Sequence, residues 1–135
     1  MKFSDLSVGQ SIERTREMTE DLVNRYAELT GDFSPVHVDE AAAAKSRFGT
    51  RIAHGMLSAG FLSAVIGMEL PGPGTIWVAQ AFKFKQPVKI GDTVTWLVEV
   101  CELFPEKKRA RLKTVARNQR DEIVIDGEGV ILLLD

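Results

Sequence analysis

An α+β fold, in which a curved antiparallel β-sheet wraps around one long central α-helix, is what this sequence predicts. Two observations carry that expectation. The stretch from Gly55 to Leu70 is apolar or small on every side, with no charge before Glu69, and a helix that is hydrophobic all round must be buried all round. The second half of the chain alternates apolar and polar residues with period two between short turns, the pattern of an antiparallel sheet with one solvated face. In a chain of 135 residues the sheet is what remains to wrap the helix.

Each element follows from local signals. Ile12 to Met18 fits an opening strand, on a weak pattern. Thr19 is a good helix N-cap, and Glu20 and Asp21 complement the dipole in the first turn. Met18 and Val23 occupy the two positions of a hydrophobic staple. Leu22, Tyr26 and Leu29 then repeat on one helical face, and Gly31 closes the helix as a left-handed cap. A short helix is expected from Glu40 to Arg47, capped by Asp39 and favoured by Ala41 to Ala44.

The sheet begins after Pro71-Gly72-Pro73-Gly74. Between Thr75 and Val88, Ile76, Val78, Phe82 and Phe84 share one face while Lys83 and Lys85 point the other way. After the turn at Gly91-Asp92, Val94, Trp96, Val98 and Val100 form the next apolar face. Arg109, Arg111, Lys113 and Arg117 alternate with Ala110, Leu112, Thr114 and Ala116, and Ile123 to Leu134 makes the last strand. Gly127 and Gly129 lie on its inward face, which suggests close approach of another backbone, with the buried helix the obvious candidate. An open sheet of this kind exposes edge strands, and edge-to-edge pairing in a dimer is a natural remedy.

Composition narrows the function. With 17 Lys+Arg against 19 Asp+Glu the formal net charge is −2, so there is no basic excess to hold nucleic acid or an anionic membrane. The Gly55–Leu70 stretch is too short, and too interrupted by Ser58 and Ser63, for a membrane span. The N-terminus carries no signal-peptide pattern. The single cysteine, Cys101, excludes an internal disulfide and reads as a small apolar filler, which fits a reducing cytoplasm. No repeat or linker divides the chain, so residues 1–135 are expected to form one domain.

There are only two histidines, His37 and His54. His37 follows Gly31-Asp32-Phe33-Ser34-Pro35-Val36, where a helix cap and a proline make an irregular but stiff loop. Such loops on a scaffold are where catalytic groups are usually placed. Asp32 and His37 brought together there can share the handling of one water molecule; by spacing alone, Asp32 tying up loop amides and His37 standing on the surface fits as well. Two histidines without a cysteine pair give no zinc-like ligand spacing. Asp39 reads as a helix cap and His54 as a structural residue. Gly55 opens the buried helix, whose first amides lack acceptors and carry roughly +0.5 charge together. Its N–H can receive a developing oxyanion, or the glycine can simply ease helix entry.

Together these segments resemble a known family, the (R)-specific enoyl-CoA hydratases of the MaoC-like branch of the hot-dog fold. The resemblance rests on Gly31-Asp32-Phe33-Ser34-Pro35-Val36-His37-Val38-Asp39, on Ile52-Ala53-His54-Gly55-Met56-Leu57-Ser58, and on Phe82 to Asp92. Their order and spacing agree along nearly the whole chain. The resemblance implies a hot-dog fold and (R)-specific, reversible hydration of trans-2-enoyl-CoA to (R)-3-hydroxyacyl-CoA, of the kind that supplies polyhydroxyalkanoate synthesis. It implies that Asp32 and His37 are the catalytic pair and Gly55 the oxyanion-hole amide. Ser63 matches a serine near the family's active site, although a small polar filler between helix and sheet explains it equally well. It further implies a homodimer, an acyl-CoA site near the subunit interface, and no metal or organic cofactor.

One residue departs from the pattern: the family usually has Asn where this chain has Ser34, whose shorter hydroxyl can bond the loop backbone. Lys83, Lys85 and Arg109 fit contacts to the CoA phosphates and a solvated face equally. Two other functions belong to the same fold, a thioesterase that attacks the thioester carbonyl with water and a non-catalytic acyl-thioester binding module. An Asp and a His five positions apart argue against the first, which needs no proton donor at Cα. The second usually carries a DNA-binding or partner module, of which this sequence shows none.

Overall fold

The computed structural model describes all 135 residues, Met1–Asp135. In chain order the elements are β1 (Ser11–Glu17), α1 (Glu20–Thr30), α2 (Pro35–Val38), α3 (Glu40–Ala44), α4 (Gly55–Met68), β2 (Thr75–Phe84), β3 (Thr93–Phe104), β4 (Arg109–Arg117) and β5 (Ile123–Leu133), with single 3-10 turns at Phe3–Asp5 and Pro105–Lys107. The strands form one sheet in the order β1-β3-β4-β5-β2, antiparallel at every pairing. β1 and β2 thus lie at opposite edges. The chain between them must cross the sheet, and α4 makes the crossing.

The core is the contact between α4 and the inward face. Leu57, Leu62, Val65 and Ile66 of the helix join Val94, Trp96, Val98, Val100, Ala110, Leu112, Ala116, Ile125 and Ile131 of the strands in one buried cluster. Alternation along β3 and β4 puts these side chains on one face. The buried Trp96 indole N–H donates to the Ser58 carbonyl at 2.8 Å, tying sheet to helix at the one polar atom the ring carries. This is the hot-dog arrangement the sequence implied.

α1 is capped as expected. The Thr19 hydroxyl accepts from the Leu22 amide at 3.2 Å, Gly31 closes the helix at φ 82°, and Met18 and Val23 are fully buried. Asp39 caps α3 through the Ala42 amide. That helix ends at Ala44 rather than Arg47, and the expected irregular loop holds one helical turn, α2, with Pro35 at its first position.

Five expectations fail, each for an identifiable reason. First, α4 is not buried all round: Met56, Gly60, Ser63, Ala64 and Met68 form an open stripe, with Met56 at 55% and Met68 at 70% exposure. A five-stranded open sheet covers one side of a helix, not its circumference. Second, β2 does not keep one apolar face. The register slips between Trp77 and Ala79, and this bulge turns Ile76 and Val78 outward while Trp77 and Phe82 pack on the core. Third, Gln80, not the α4 backbone, fills the space that Gly127 and Gly129 leave. A Cβ on Gly127 would stand 2.8 Å from the Gln80 amide nitrogen, which donates to Thr114 Oγ1, while Trp77 donates to Gln80 Oε1. Fourth, Leu29 is exposed and Val23 and Ala27 make the buried face of α1. Fifth, Cys101 is exposed rather than a core filler, because it sits in the irregularity between Val100 and Glu102. No helix of the chain is long and apolar enough to cross a membrane.

Candidate active site

Asp32, His37 and His54 converge. One carboxylate or imidazole atom from each lies within 4.8 Å of the other two. Three local devices bring them there. The Gly31 cap turns the chain out of α1. Pro35 starts the short turn whose third residue is His37. The entry to α4 then presents His54 from below.

The bonding of each ring fixes its tautomer. His37 Nδ1 lies 2.8 Å from the Ile52 carbonyl, which can only accept, so Nδ1 carries a proton and, in the neutral ring, Nε2 keeps a free lone pair. His54 Nε2 donates to the Asp32 carbonyl at 3.0 Å, leaving Nδ1 buried without a partner. Burial holds the His54 pKa below the ordinary imidazole value, against a smaller opposing pull from the Asp32 carbonyl. A proton on the unpartnered Nδ1 would be costly, so His54 is neutral. Its ring stacks on His37 at 4.0 Å and packs against Tyr26 at 4.6 Å. It is a platform under His37, in keeping with the structural reading of the sequence.

Asp32 is exposed. Its Oδ1 accepts from the Ser34 hydroxyl at 2.7 Å and the Ser34 amide at 3.1 Å. These two bonds, hydroxyl first, hold the carboxyl below its ordinary pKa. The carboxylate is ionised at neutral pH. The Ser34 hydroxyl therefore serves the carboxylate directly, not the loop backbone as expected.

Gly55 supplies the first amide of α4, which has no acceptor within the chain. The reason for glycine is visible: a Cβ here would stand 2.6 Å from Cε1 of Phe84, whose ring lies over the helix tip. His37, Gly55, Ser58 and Phe84 share the wall of a cleft of about 410 Å³, completed by residues that include Arg47, Phe48, Lys85 and Val88. Arg47 and Lys85 are its only formally charged lining residues. Both are cations without a carboxylate partner, and no acid lines the cleft.

Of the four residues singled out by sequence, His37 is the hinge: it meets Asp32 on one side and shares the cleft wall with Gly55 on the other, while Asp32 stands just outside that wall and Ser63 joins neither group. Ser63 is exposed on α4 and absent from the cleft wall. Eight residues past Gly55 puts it about 12 Å along the axis, and its exposure argues against a filler role between helix and sheet. Ser58 lies one turn into the helix instead, buried, with an unpartnered hydroxyl. Sequence reasoning missed Ser58, Phe84, Arg47 and the stacked role of His54. Only the first could have been read off, from its one-turn spacing to Gly55.

A family model described as MaoC like domain matches residues 5–123. Curated relatives include a 3-hydroxybutyryl-CoA dehydratase of Methylorubrum extorquens, 47% identical over 129 residues, covering 96% of this chain and 82% of the relative. Another is an (R)-specific enoyl-CoA hydratase of Rhodospirillum rubrum, 47% identical over 131 residues and covering 97% and 90%. Among solved structures, the unliganded R-hydratase PhaJ1 of Pseudomonas aeruginosa superposes with a TM-score of 0.93 at 44% identity, covering 98% of this chain and 84% of that one.

Proposed function

This chain belongs to the MaoC-like domain family, and from that premise we propose that it is an (R)-specific enoyl-CoA hydratase. It adds water reversibly to trans-2-enoyl-CoA to give (R)-3-hydroxyacyl-CoA. The observation that carries the assignment of the chemistry is His37, which meets the Asp32 carboxylate on one side and shares the cleft wall with the free Gly55 amide on the other. A water held between the two side chains gives one proton to the free Nε2 of His37 as its oxygen bonds to C3 of the substrate. The ionised Asp32 holds the second water proton and stabilises the imidazolium. Electron density displaced from the double bond develops on the thioester oxygen, which the Gly55 N–H receives. His37 returns its proton to C2. Because the same pair gives and takes on one side of the substrate, H and OH add to the same face.

The cleft supports a CoA thioester as substrate. Its two unpaired cations, Arg47 and Lys85, stand where a polyanionic carrier enters, and Lys83 and Arg109 lie outside its lining. We also read the active form as a homodimer. The outer edge of β2 is unpaired, and beside it Ile76, Val78, Phe84 and Met56 are 45%, 41%, 54% and 55% exposed, an apolar surface that a second copy would cover. One domain carries the whole site, and none of its residues calls for a metal or organic cofactor.

The experiment mixes purified protein with crotonyl-CoA and follows the conjugated enoyl absorbance together with free thiol. Loss of absorbance without thiol, and (R)-3-hydroxybutyryl-CoA as product, is the expected result. Thiol release would identify a thioesterase, and no change in either a binding module.

A further inference from the structure

The catalytic turn does not hold itself. α2 has four residues, and its backbone bonds are His37 N to Ser34 O at 2.9 Å and Asp39 N to Pro35 O at 2.9 Å; a single helical turn is unstable alone. Its position is imposed by the segment Thr50–Ile52. Ile52 N donates to Val36 O at 3.2 Å, and Ile52 O accepts from His37 Nδ1. Immediately before Ile52 stands Arg51, which is only 7% exposed.

The Arg51 guanidinium spends its fork on three acceptors from two elements. Nε donates to the His37 carbonyl at 2.6 Å, one terminal nitrogen to Glu20 Oε1 at 2.7 Å, and the other to Asn24 Oδ1 at 2.7 Å. Glu20 and Asn24 belong to the first turns of α1, which is anchored in the core through Val23 and Ala27. A buried guanidinium is expensive unless its N–H groups are matched, and an apolar side chain would fill the same space without that demand. What an apolar side chain cannot supply is a donor to the His37 carbonyl held from the α1 side. Ile52 fixes the rotation of the imidazole; Arg51 fixes the backbone from which it hangs.

We propose that Arg51 is a positioning residue for the hydration reaction, clamping the His37 backbone to α1 so that Nε2 meets the attacking water. The inference rests on the hydratase reading above. It acts on orientation, so its loss lowers turnover without loosening substrate binding. A displacement of about 1 Å at a catalytic group costs on the order of 10²-fold in rate.

The test compares wild type, Arg51→Ala and Arg51→Lys on crotonyl-CoA, below the melting temperature of each and normalised to folded protein by circular dichroism. Both variants are expected to lose roughly 10²-fold in kcat with KM little changed. The lysine is no rescue, because one ammonium cannot reach three acceptors as a planar fork does. Millimolar guanidinium is expected to restore part of the kcat of Arg51→Ala, and none of that of His37→Gln. A merely structural role would lower the melting temperature and leave the kcat of the folded protein intact. Folded Arg51 variants with near wild-type kcat, or a loss that guanidinium does not touch, overturn the proposal. Should neither variant fold, Asn24→Ala keeps the bond to His37 but loosens the clamp. A several-fold fall in its kcat at constant KM upholds the inference, and an unchanged kcat ends it. Wild-type protein inactive on enoyl thioesters would instead remove the hydratase reading, a separate outcome.

Discussion

Two regions of this molecule are stabilised by different physics. In β3, β4 and β5 the inward residues Val98, Val100, Leu112, Ile125 and Ile131 are fully or almost fully buried, held by packing and by long backbone ladders. From Thr30 to Gly55 regular structure is brief, and polar side chains do the holding. Asp32 takes Ser34, Asp39 takes the Ala42 amide, Glu40 takes Thr50, and His37, His54 and Arg51 each take a backbone carbonyl. Apolar contacts are many, weak and interchangeable, whereas each of these bonds has one donor and one acceptor. The sheet therefore degrades gradually in stability, while the site segment fails in chemistry, one bond at a time.

That contrast breaks most readily in the sheet. Leu112→Ala removes a fully buried side chain from the core cluster and is expected to cost about 2–5 kcal/mol of unfolding free energy. Its kcat per folded molecule should stay near wild type. Denaturant titration beside steady-state kinetics checks both, and a large fall in kcat would show that the two regions are not separable. The mirror experiment is in the site. Asp32→Asn and His37→Gln are each expected to lower turnover roughly 10²-fold or more, with the melting temperature almost unmoved. Near-normal rates in both would remove the residue assignments even if the hydratase activity were real.

A smaller effect sharpens where binding and chemistry part. Arg47 and Lys85 are exposed, so each contact with a phosphate is a surface ion pair, and losing both should raise KM for crotonyl-CoA by roughly ten-fold. Crotonyl-pantetheine carries no nucleotide phosphates, and its KM should not respond to the double substitution. Equal losses with both thioesters would place these side chains elsewhere in the mechanism.

The same division explains what could be read from residues alone. Period-two patterning located β3 and β4 and assigned their faces, because one buried face repeats a simple rule. It failed at β2, where a single extra residue at Val78 reverses the alternation, and bulges leave no compositional mark. α4 was legible as the central helix and illegible in its open stripe, since an apolar surface awaiting another surface has the same composition as a buried one. Asp32, His37 and Gly55 were singled out by the stiff loop and the helix tip, and given roles only through their resemblance to a family motif. Arg51 was not, because its three partners lie 14, 27 and 31 positions away and no local spacing announces such a clamp. Ser63 was misplaced for a related reason: similarity of position along a helix does not say which side faces the cleft.

The smallest expected effect concerns Ser34 and turns on a sign. Its hydroxyl and amide both donate to Asp32 Oδ1 and favour the ionised carboxylate, holding its pKa below the ordinary value. Ser34→Ala keeps the amide bond and removes the hydroxyl, the larger of the two contributions, so the Asp32 pKa must rise. The proposed mechanism requires Asp32 ionised, and on it the acid limb of the kcat/KM profile should move to higher pH, with the neutral plateau nearly unchanged. The same logic applies to folding. A depressed carboxylate pKa contributes stability that is present above its unfolded value and lost as pH falls through the folded one, so the alanine variant loses a little of that margin above the unfolded value, including at neutral pH, and less as acid protonates Asp32 in both proteins. Ser34→Asn tests the geometry rather than the charge. A longer amide can donate to the same oxygen, and its acid limb should lie near that of wild type. An acid limb unmoved in Ser34→Ala would mean that Asp32 is not the group whose ionisation the reaction requires.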